Sequence, residues 1–367
     1  MPWQFGRIAS VVITIHVAAT ISAAYLKNII DFPFPVSDAS NGRDTPMGHM
    51  DRYSNRTLVV LMGNLRGGEI AWSTLYENVL DLNQADLALI IGRKPPENKT
   101  SSLYNRAKYV WEFDEYNDWG DAMDLINGTG WRATLPGLLP PVSNLLGGMK
   151  LPNTESRGSG AIILMIRYFL SRQIQRQGLI EKYDRFVVTR SDHYYLCKHN
   201  LSLLSPEYLW LPNGEDNLGI TDRHLVVSSK YVLDALDILP GLLKDPQRYQ
   251  DDVKDTRDNP EKMIKKRWEA MGLFAKVRRF PRMMFTCAVK GDTTRWSIMT
   301  PYTVSEGVHL KYIHEYKDSH KTCNGRNVTL AVQASSVRVS ASGTAQVKGS
   351  LLKNAKNGAS IVVKVGS

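Results

Sequence analysis

The chain has 367 residues, 43% hydrophobic and 22% charged, enough to bury a sizeable core, so wholesale disorder and collagen-like or mucin-like architectures are excluded. Three cysteines, none in a CxxC spacing, exclude a disulfide-framework fold and a four-thiolate zinc module. The formal net charge of +10 is local: residues 261–282 hold eight Lys/Arg against two Glu, and residues 319–367 hold seven against none. The remainder is mildly acidic, which excludes a nucleic-acid binder with a basic surface throughout.

Residues 8–26 carry no charge and stand between Arg7 and Lys27; as a helix they reach roughly 28 Å. We expect a short cytoplasmic tail (1–7), a signal anchor (8–27) and a Pro/Ser/Asp/Gly-rich stem (28–56). The alternatives are a cleaved signal, because Ile21-Ser22-Ala23-Ala24 offers a small-residue end, and a buried helix. The anchor and the cleaved signal both put the rest of the chain in a secretory lumen, either as a single-pass type II protein of the ER or Golgi membrane or as a released one. Five N-glycosylation sequons begin at Asn55, Asn98, Asn127, Asn200 and Asn327. In an oxidising lumen Cys287 and Cys323 could pair, leaving Cys197 free, although sequence does not assign connectivity and buried thiols are the equal alternative.

The folded domain is expected over 57–326. An apolar run at 58–62, the loop Gly63-Asn64-Leu65-Arg66-Gly67-Gly68, an amphipathic stretch to residue 80 and a second apolar run at 87–91 form a β-loop-α-β unit. Residues 109–113 read as a strand, and the Gly/Pro-rich segment 127–160 as a surface loop, mobile over a site. A helix over 161–177 ends at Gly178, and a buried strand over 184–190 runs into Ser191-Asp192. Segments 208–211 and 219–227, helices over 229–239 and 260–273 and a strand over 284–289 follow. Alternating strands and helices predict an α/β fold with a mainly parallel, helix-flanked sheet. Residues 327–367 read as a basic, low-complexity extension.

In such sheets ligands bind beyond the carboxyl ends of strands. The loop 63–68 offers Arg66 and backbone N–H groups, Gly67 among them, to a phosphate at a helix N-terminus. It is neither a Walker A loop nor GxGxxG, which argues against an NTPase or a Rossmann dehydrogenase; a Gly-lubricated turn is the plain alternative. The second candidate region is Thr189-Arg190-Ser191-Asp192-His193-Tyr194 with Gly214-Glu215-Asp216-Asn217 and Thr221-Asp222-Arg223-His224. Carboxylates, imidazoles and guanidiniums beside apolar strands are usually paired or ligating. A strand-end carboxylate suits a hard divalent ion bridging phosphates, and a second one suits deprotonation of a hydroxyl. An internal Asp222-Arg223 ion pair and satisfied core imidazoles at His193 and His224 are the structural alternatives.

Taken together, the anchor, the stem and the segments RGGEIAWSTLYEN, FVVTRSDHYY, LWLPNGEDNLGITDRHLVV and EGVHLKY resemble the GT-A-type nucleotide-diphospho-sugar transferases over roughly residues 58–312. The resemblance implies a GT-A-like fold and a glycosyltransferase that passes a sugar from a nucleotide-diphospho-sugar donor to a glycan or glycoprotein acceptor, assisted by Mn²⁺ or Mg²⁺. The local charge excess points to no nucleic-acid partner, and the apolar run 8–26 to a membrane contact through the N-terminal helix. Asp192 matches the metal-holding aspartate of a DxD-like motif in which Tyr194 replaces the second Asp, and His309 resembles the histidine that completes the metal shell, with His314 second. Glu215-Asp216 resembles an xED motif whose Asp is the base, and Asp222 contends equally for that role. Arg66, Gly67, Arg190, Asp192 and Arg223 fall on the donor side. Lys265, Lys266, Arg267, Arg278 and Arg279 would assist or form a solvated face. Two rivals are a phosphodiesterase with a two-metal cluster of Asp192, His193, Asp216, Asp222 and His224, and a non-catalytic, membrane-anchored carbohydrate-binding protein.

Overall fold

A computed structural model describes residues 36–38, 56–94, 99–249, 258–289, 291–292 and 303–325. The expected anchor, nearly all of the stem, the C-terminal extension and the sequons at Asn55, Asn98 and Asn327 lie outside these residues. Among the described residues no helix is long and apolar enough to cross a membrane.

The strands are, in chain order, β1 (Val36–Asp38), β2 (Thr57–Met62), β3 (Asp86–Gly92), β4 (Tyr109–Phe113), β5 (Val142–Ser143), β6 (Glu155–Ser156), β7 (Arg185–Thr189), β8 (His193–Tyr195), β9 (Leu209–Pro212), β10 (Leu225–Ser228), β11 (Val277–Phe280), β12 (Met284–Val289) and β13 (Val308–Leu310). The longer helices are α1 (Gly68–Leu75), α2 (Trp119–Asn127), α3 (Gly160–Arg176), α4 (Ser229–Leu236), α5 (Leu239–Lys244), α6 (Pro260–Ala270) and α7 (Ile313–Asn324). They belong to two compact units. One takes the described residues up to Leu65 with Leu80–Ser191 and Asn200–Phe280; the other takes Arg66–Val79, Asp192–His199 and the described residues from Pro281 on.

The first unit is built on a sheet in the order β1-β4-β3-β2-β7-β10-β9-β11. Strands β4, β3, β2 and β7 pair in parallel, β10 pairs antiparallel with both β7 and β9, and β11 pairs in parallel with β9. Only β1 and β10 therefore run against the other six, and the expected mainly parallel α/β sheet stands. The continuous apolar runs TLVVLM, DLALIIG and RFVVT explain the centre: strands buried on both faces cannot alternate with polar residues. Leu58, Val60, Ala88, Ile90, Phe186 and Val188 join one core with residues of α2 to α6, while Val59, Leu61, Leu87, Leu89 and Val187 are buried on the other face.

Three sequence expectations change here. Segment 127–160 is not an open loop: Trp131, Leu135, Leu145, Leu146 and Met149 are buried, and β5 pairs with β6. Its glycines permit close backbone approach; a Cβ on Gly160 would lie 1.8 Å from the Leu145 carbonyl oxygen, and one on Gly147 2.1 Å from that of Arg157. Residues 219–224 approach β10 as irregular chain. The expected helix over 229–239 stops at Leu236, and α5 begins at Leu239 with Pro240 in its first turn, where a missing N–H costs nothing.

The second unit is a three-stranded antiparallel sheet, β13-β12-β8, with α1 against β8 and β12 and α7 against β12. Arg282 and Glu315 form a buried ion pair at 3.0 Å, and the other Glu315 oxygen accepts the Thr286 N–H at 2.6 Å, so both charges are compensated where solvent is excluded. The disulfide joins Cys197 to Cys323, with Cα atoms 5.7 Å apart. This corrects the Cys287–Cys323 pairing: Cys287 is free and fully buried within β12, where burial, the first cause, and the nearby Asp192 and Glu315 charges push its thiol pKa up.

Candidate functional site

In the first unit the carboxyl ends of the parallel strands all open on one edge of the sheet. The loops there begin at Gly63 after β2, Arg93 after β3, Asp114 after β4, Arg190 after β7 and Asn213 after β9. Because β10 is antiparallel, Asp222-Arg223-His224, which leads into it, reaches the same edge. The chain runs from β2 outward through β3 and β4, and returns to place β7 on the opposite side of β2. The β2/β7 boundary is thus a topological switch point, the kind of place where open α/β sheets bind ligands. Here the Ser191 hydroxyl donates to the Asn64 carbonyl at 3.3 Å, and Thr189 Oγ1 lies 3.0 Å from His224 Nδ1.

A charged cluster stands behind this edge. Arg167, 2% exposed, donates from Nη2 to the Asp222 carbonyl at 2.7 Å, and its Nε and Nη1 find no protein acceptor among the described residues. Burial pulls the Arg167 pKa down, while the charges of Asp222 and Glu261 oppose that shift. Arg223 lies 3.9 Å from both an Asp222 and a Glu215 carboxylate oxygen. Glu261, in the first turn of α6, accepts from Asn217 Nδ2 at 2.7 Å, and Asn259 Nδ2 donates to the Asn217 carbonyl at 2.7 Å. Gly219 is pressed so closely on the Glu261 backbone that a Cβ would fall 2.1 Å from it.

These contacts hold a strained loop. Gly214, Glu215, Asn217 and Leu218 have φ of +81°, +56°, +45° and +70°. Left-handed backbone costs a non-glycine residue roughly 1 kcal/mol or more, and such strain gathers at functional sites. Asp216, inside the loop, is tied down through one oxygen: Oδ1 takes the Arg279 guanidinium at 2.9 Å and the Thr221 N–H at 3.0 Å. Asp222 is 9% exposed, and its carboxylate meets Arg223 at the longer distance of 3.9 Å.

A search against protein-family models finds no match, and no curated protein matches the chain.

Glu215, Asp216, Asp222, Arg223 and Arg190 all fall in the first unit, and Arg66, Gly67, Asp192 and His309 in the second. There the glycine loop is explained by its backbone: Gly67 is left-handed at φ +84°, Gly68 has φ +66°, and a Gly68 Cβ would meet a Val289 methyl at 2.8 Å. The Arg66 carbonyl accepts the Trp72 indole N–H at 2.7 Å. Asp192 is buried, and its carbonyl accepts the Cys287 N–H at 2.8 Å, extending the β8–β12 register. His309 pairs with Ala288, one position on, and its Nδ1 lies 3.0 Å from Thr303 Oγ1. Side chains alternate along a strand, so the register sets Asp192 with Cys287 on one face and His309 with Ala288 on the other. Among the described residues no three His, Cys, Asp or Glu side chains gather as a metal cage. The residues of the two-metal rival divide in the same way, Asp192 and His193 in the second unit and Asp216, Asp222 and His224 in the first, where His224 is buried and packs edge-on against Phe280 with centroids 5.6 Å apart.

Sequence reasoning missed Arg167 and Glu261. Their signals were a lone cation within the apolar run of α3 and an acid heading a basic helix. Glu261 supplies a pH test. Its pKa is raised, first by burial and then by the Asp222 charge, against the Asn217 hydrogen bond and Arg223. A carboxyl whose folded pKa is raised binds its proton more tightly when native, so it costs stability as pH climbs from the ordinary carboxylate range through the folded pKa. Glu261→Gln keeps the acceptor for Asn217 and abolishes the titration. We expect thermal melts to show the variant gaining on the parent as pH rises from 4 to 8; parallel curves would contradict the assignment.

Proposed function

We propose that the chain is a glycosyltransferase that moves a sugar from a nucleotide-diphospho-sugar to a hydroxyl of a glycan or glycoprotein acceptor in the secretory pathway. The observation that supports this reading most is the buried acid and guanidinium cluster at the carboxyl edge of a mainly parallel sheet, beside its topological switch point. The disulfide suits an oxidising lumen. Resemblance alone carries the donor-side roles of Arg66, Gly67 and Asp192.

In this proposal Asp222 is the base and Asp216 holds the loop. Asp222 takes the proton of the acceptor hydroxyl as the acceptor oxygen bonds to the anomeric carbon. The carbon–oxygen bond to the diphosphate breaks on the opposite side, and configuration inverts. Arg190 and Arg223 supply positive charge to the departing diphosphate, a role in which guanidinium forks are effective. Arg167 fixes the backbone of Asp222. Resemblance alone also carries the divalent ion: Asp192, an oxygen donor of the kind hard ions take, would hold it, and the charge it would supply is positive charge toward phosphate. No step above depends on it.

The test incubates the full chain with UDP-, GDP- and ADP-sugars and a panel of glycan and glycopeptide acceptors, with and without Mn²⁺, and follows products by mass spectrometry. Transfer from one donor, lost in Asp222→Asn, supports the proposal. Donor cleavage that ignores the acceptor would replace it with a hydrolase, and donor binding without turnover with a non-catalytic binding protein.

A further inference from the structure

Two sequons fall within the described residues, and the proposed reaction uses neither. The first unit distinguishes them. Asn200 is exposed at the head of a tight turn, Leu201–Leu203. Its Oδ1 accepts both the Ser202 N–H at 3.0 Å and the Ser202 hydroxyl at 2.7 Å, so the amide oxygen is occupied within the sequon. The turn is fixed from beneath. Leu201 N–H donates to Asn83 Oδ1 at 2.9 Å, and Arg185 forks from Nη1 and Nη2 onto the carbonyls of Leu201 and Leu204 at 2.5 and 2.7 Å. Beside Asn200, Leu203 is 77% exposed, an apolar side chain that the protein leaves uncovered. Asn127 differs: it closes α2, and its Nδ2 is turned to the Leu243 carbonyl at 3.4 Å.

We propose that Asn200 carries an N-linked oligosaccharide whose first sugars cover Leu203. Two independent observations converge on this. The Asn-Leu-Ser sequon sits on an exposed, anchored turn. The Cys197–Cys323 disulfide suits folding in an oxidising compartment, where such glycans are attached. In the transfer the Asn200 amide nitrogen bonds to the anomeric carbon of a lipid-diphosphate-linked oligosaccharide. The sugar–phosphate bond breaks, the lipid diphosphate leaves, and the amide proton passes to solvent. A glycan here leaves intact the Ser202, Asn83 and Arg185 hydrogen bonds that hold the turn, since Asn200 takes part through Oδ1, not Nδ2.

The experiment expresses the full chain in a secreting eukaryotic cell, removes glycans with peptide N-glycosidase in ¹⁸O-water and sequences the peptides by mass spectrometry. An ¹⁸O-labelled aspartate at position 200, with Ser202→Ala removing one glycan's worth of mass from the intact protein, is the expected result. Ser202→Ala keeps Asn200 and every backbone contact of the turn, so a lost glycan is not a lost fold. An unmodified Asn200 peptide from the parent chain, or label at Asn127 alone, overturns the assignment. The outcome is independent of donor turnover, so it stands or falls apart from the proposed reaction.

Discussion

Asp222→Asn is expected to lower kcat by about 10²–10⁴-fold, the usual contribution of a positioned general base, with the donor KM little changed. The amide fills the same volume and can still meet Arg223, but it no longer accepts a proton. Asp216→Asn is the contrasting variant. Its Oδ1 is held by Arg279 and the Thr221 N–H, and the Arg279–Asp216 pair is partly exposed, 29% and 38% at the two side chains, so its loss costs about 0–1 kcal/mol of stability. Any rate lost there would come from loosening the strained loop and is expected to be far smaller. The two variants thus separate base from scaffold. Should Asp216→Asn abolish turnover and Asp222→Asn spare it, the assignment of the base is reversed.

Legibility in the sequence followed the hydrophobic pattern. Strands β2, β3, β4, β7 and β12 are apolar runs, and α3 carries its period, so each announces itself. Strand β11 reads VRRF because it is an edge, with Arg278 facing outward over the Tyr208 ring at 4.2 Å and Arg279 reaching Asp216. Strands β8 and β13 are three residues long, below the length at which alternation can be read. Helix α7 hides for a different reason: the side chains it buries, Glu315, Tyr316 and Ser319, are mostly polar and are satisfied by specific partners, not by an apolar stripe. The site divides in the same way. Glu215, Asp216 and Asp222 were visible as acids after strands, but which of them is tied down depends on Arg279, a residue more than fifty positions away, and the Arg167 contact to Asp222 likewise depends on tertiary packing. Gly147 and Gly160 misled, since a glycine that permits backbone contact and a glycine that frees a loop look alike until the neighbour is known.

Cysteine pairing belongs to the same class, and it carries the largest expected effect on stability. The bridge joins residues 126 positions apart, tying the chain after β8 to the last turn of α7. Closing a loop of that length removes much of the freedom of the unfolded chain. By chain-entropy reckoning its loss costs about 4–5 kcal/mol, so Cys197→Ser and Cys323→Ser are each expected to lower the denaturation midpoint steeply and by similar amounts. Cys287→Ala removes a buried thiol that packs within β12 and bridges nothing; a cost of about 1 kcal/mol, typical of a single substitution, is expected. Thiol counting on the denatured, unreduced parent should give one reactive group per chain, mapped to Cys287 by peptide sequencing. A steep loss in Cys287→Ala with little change in Cys197→Ser would return the pairing to Cys287–Cys323. That outcome is opposed by the β12 register, which sets Cys287 across from Leu310, with its amide bonded to the Asp192 carbonyl and its side chain buried.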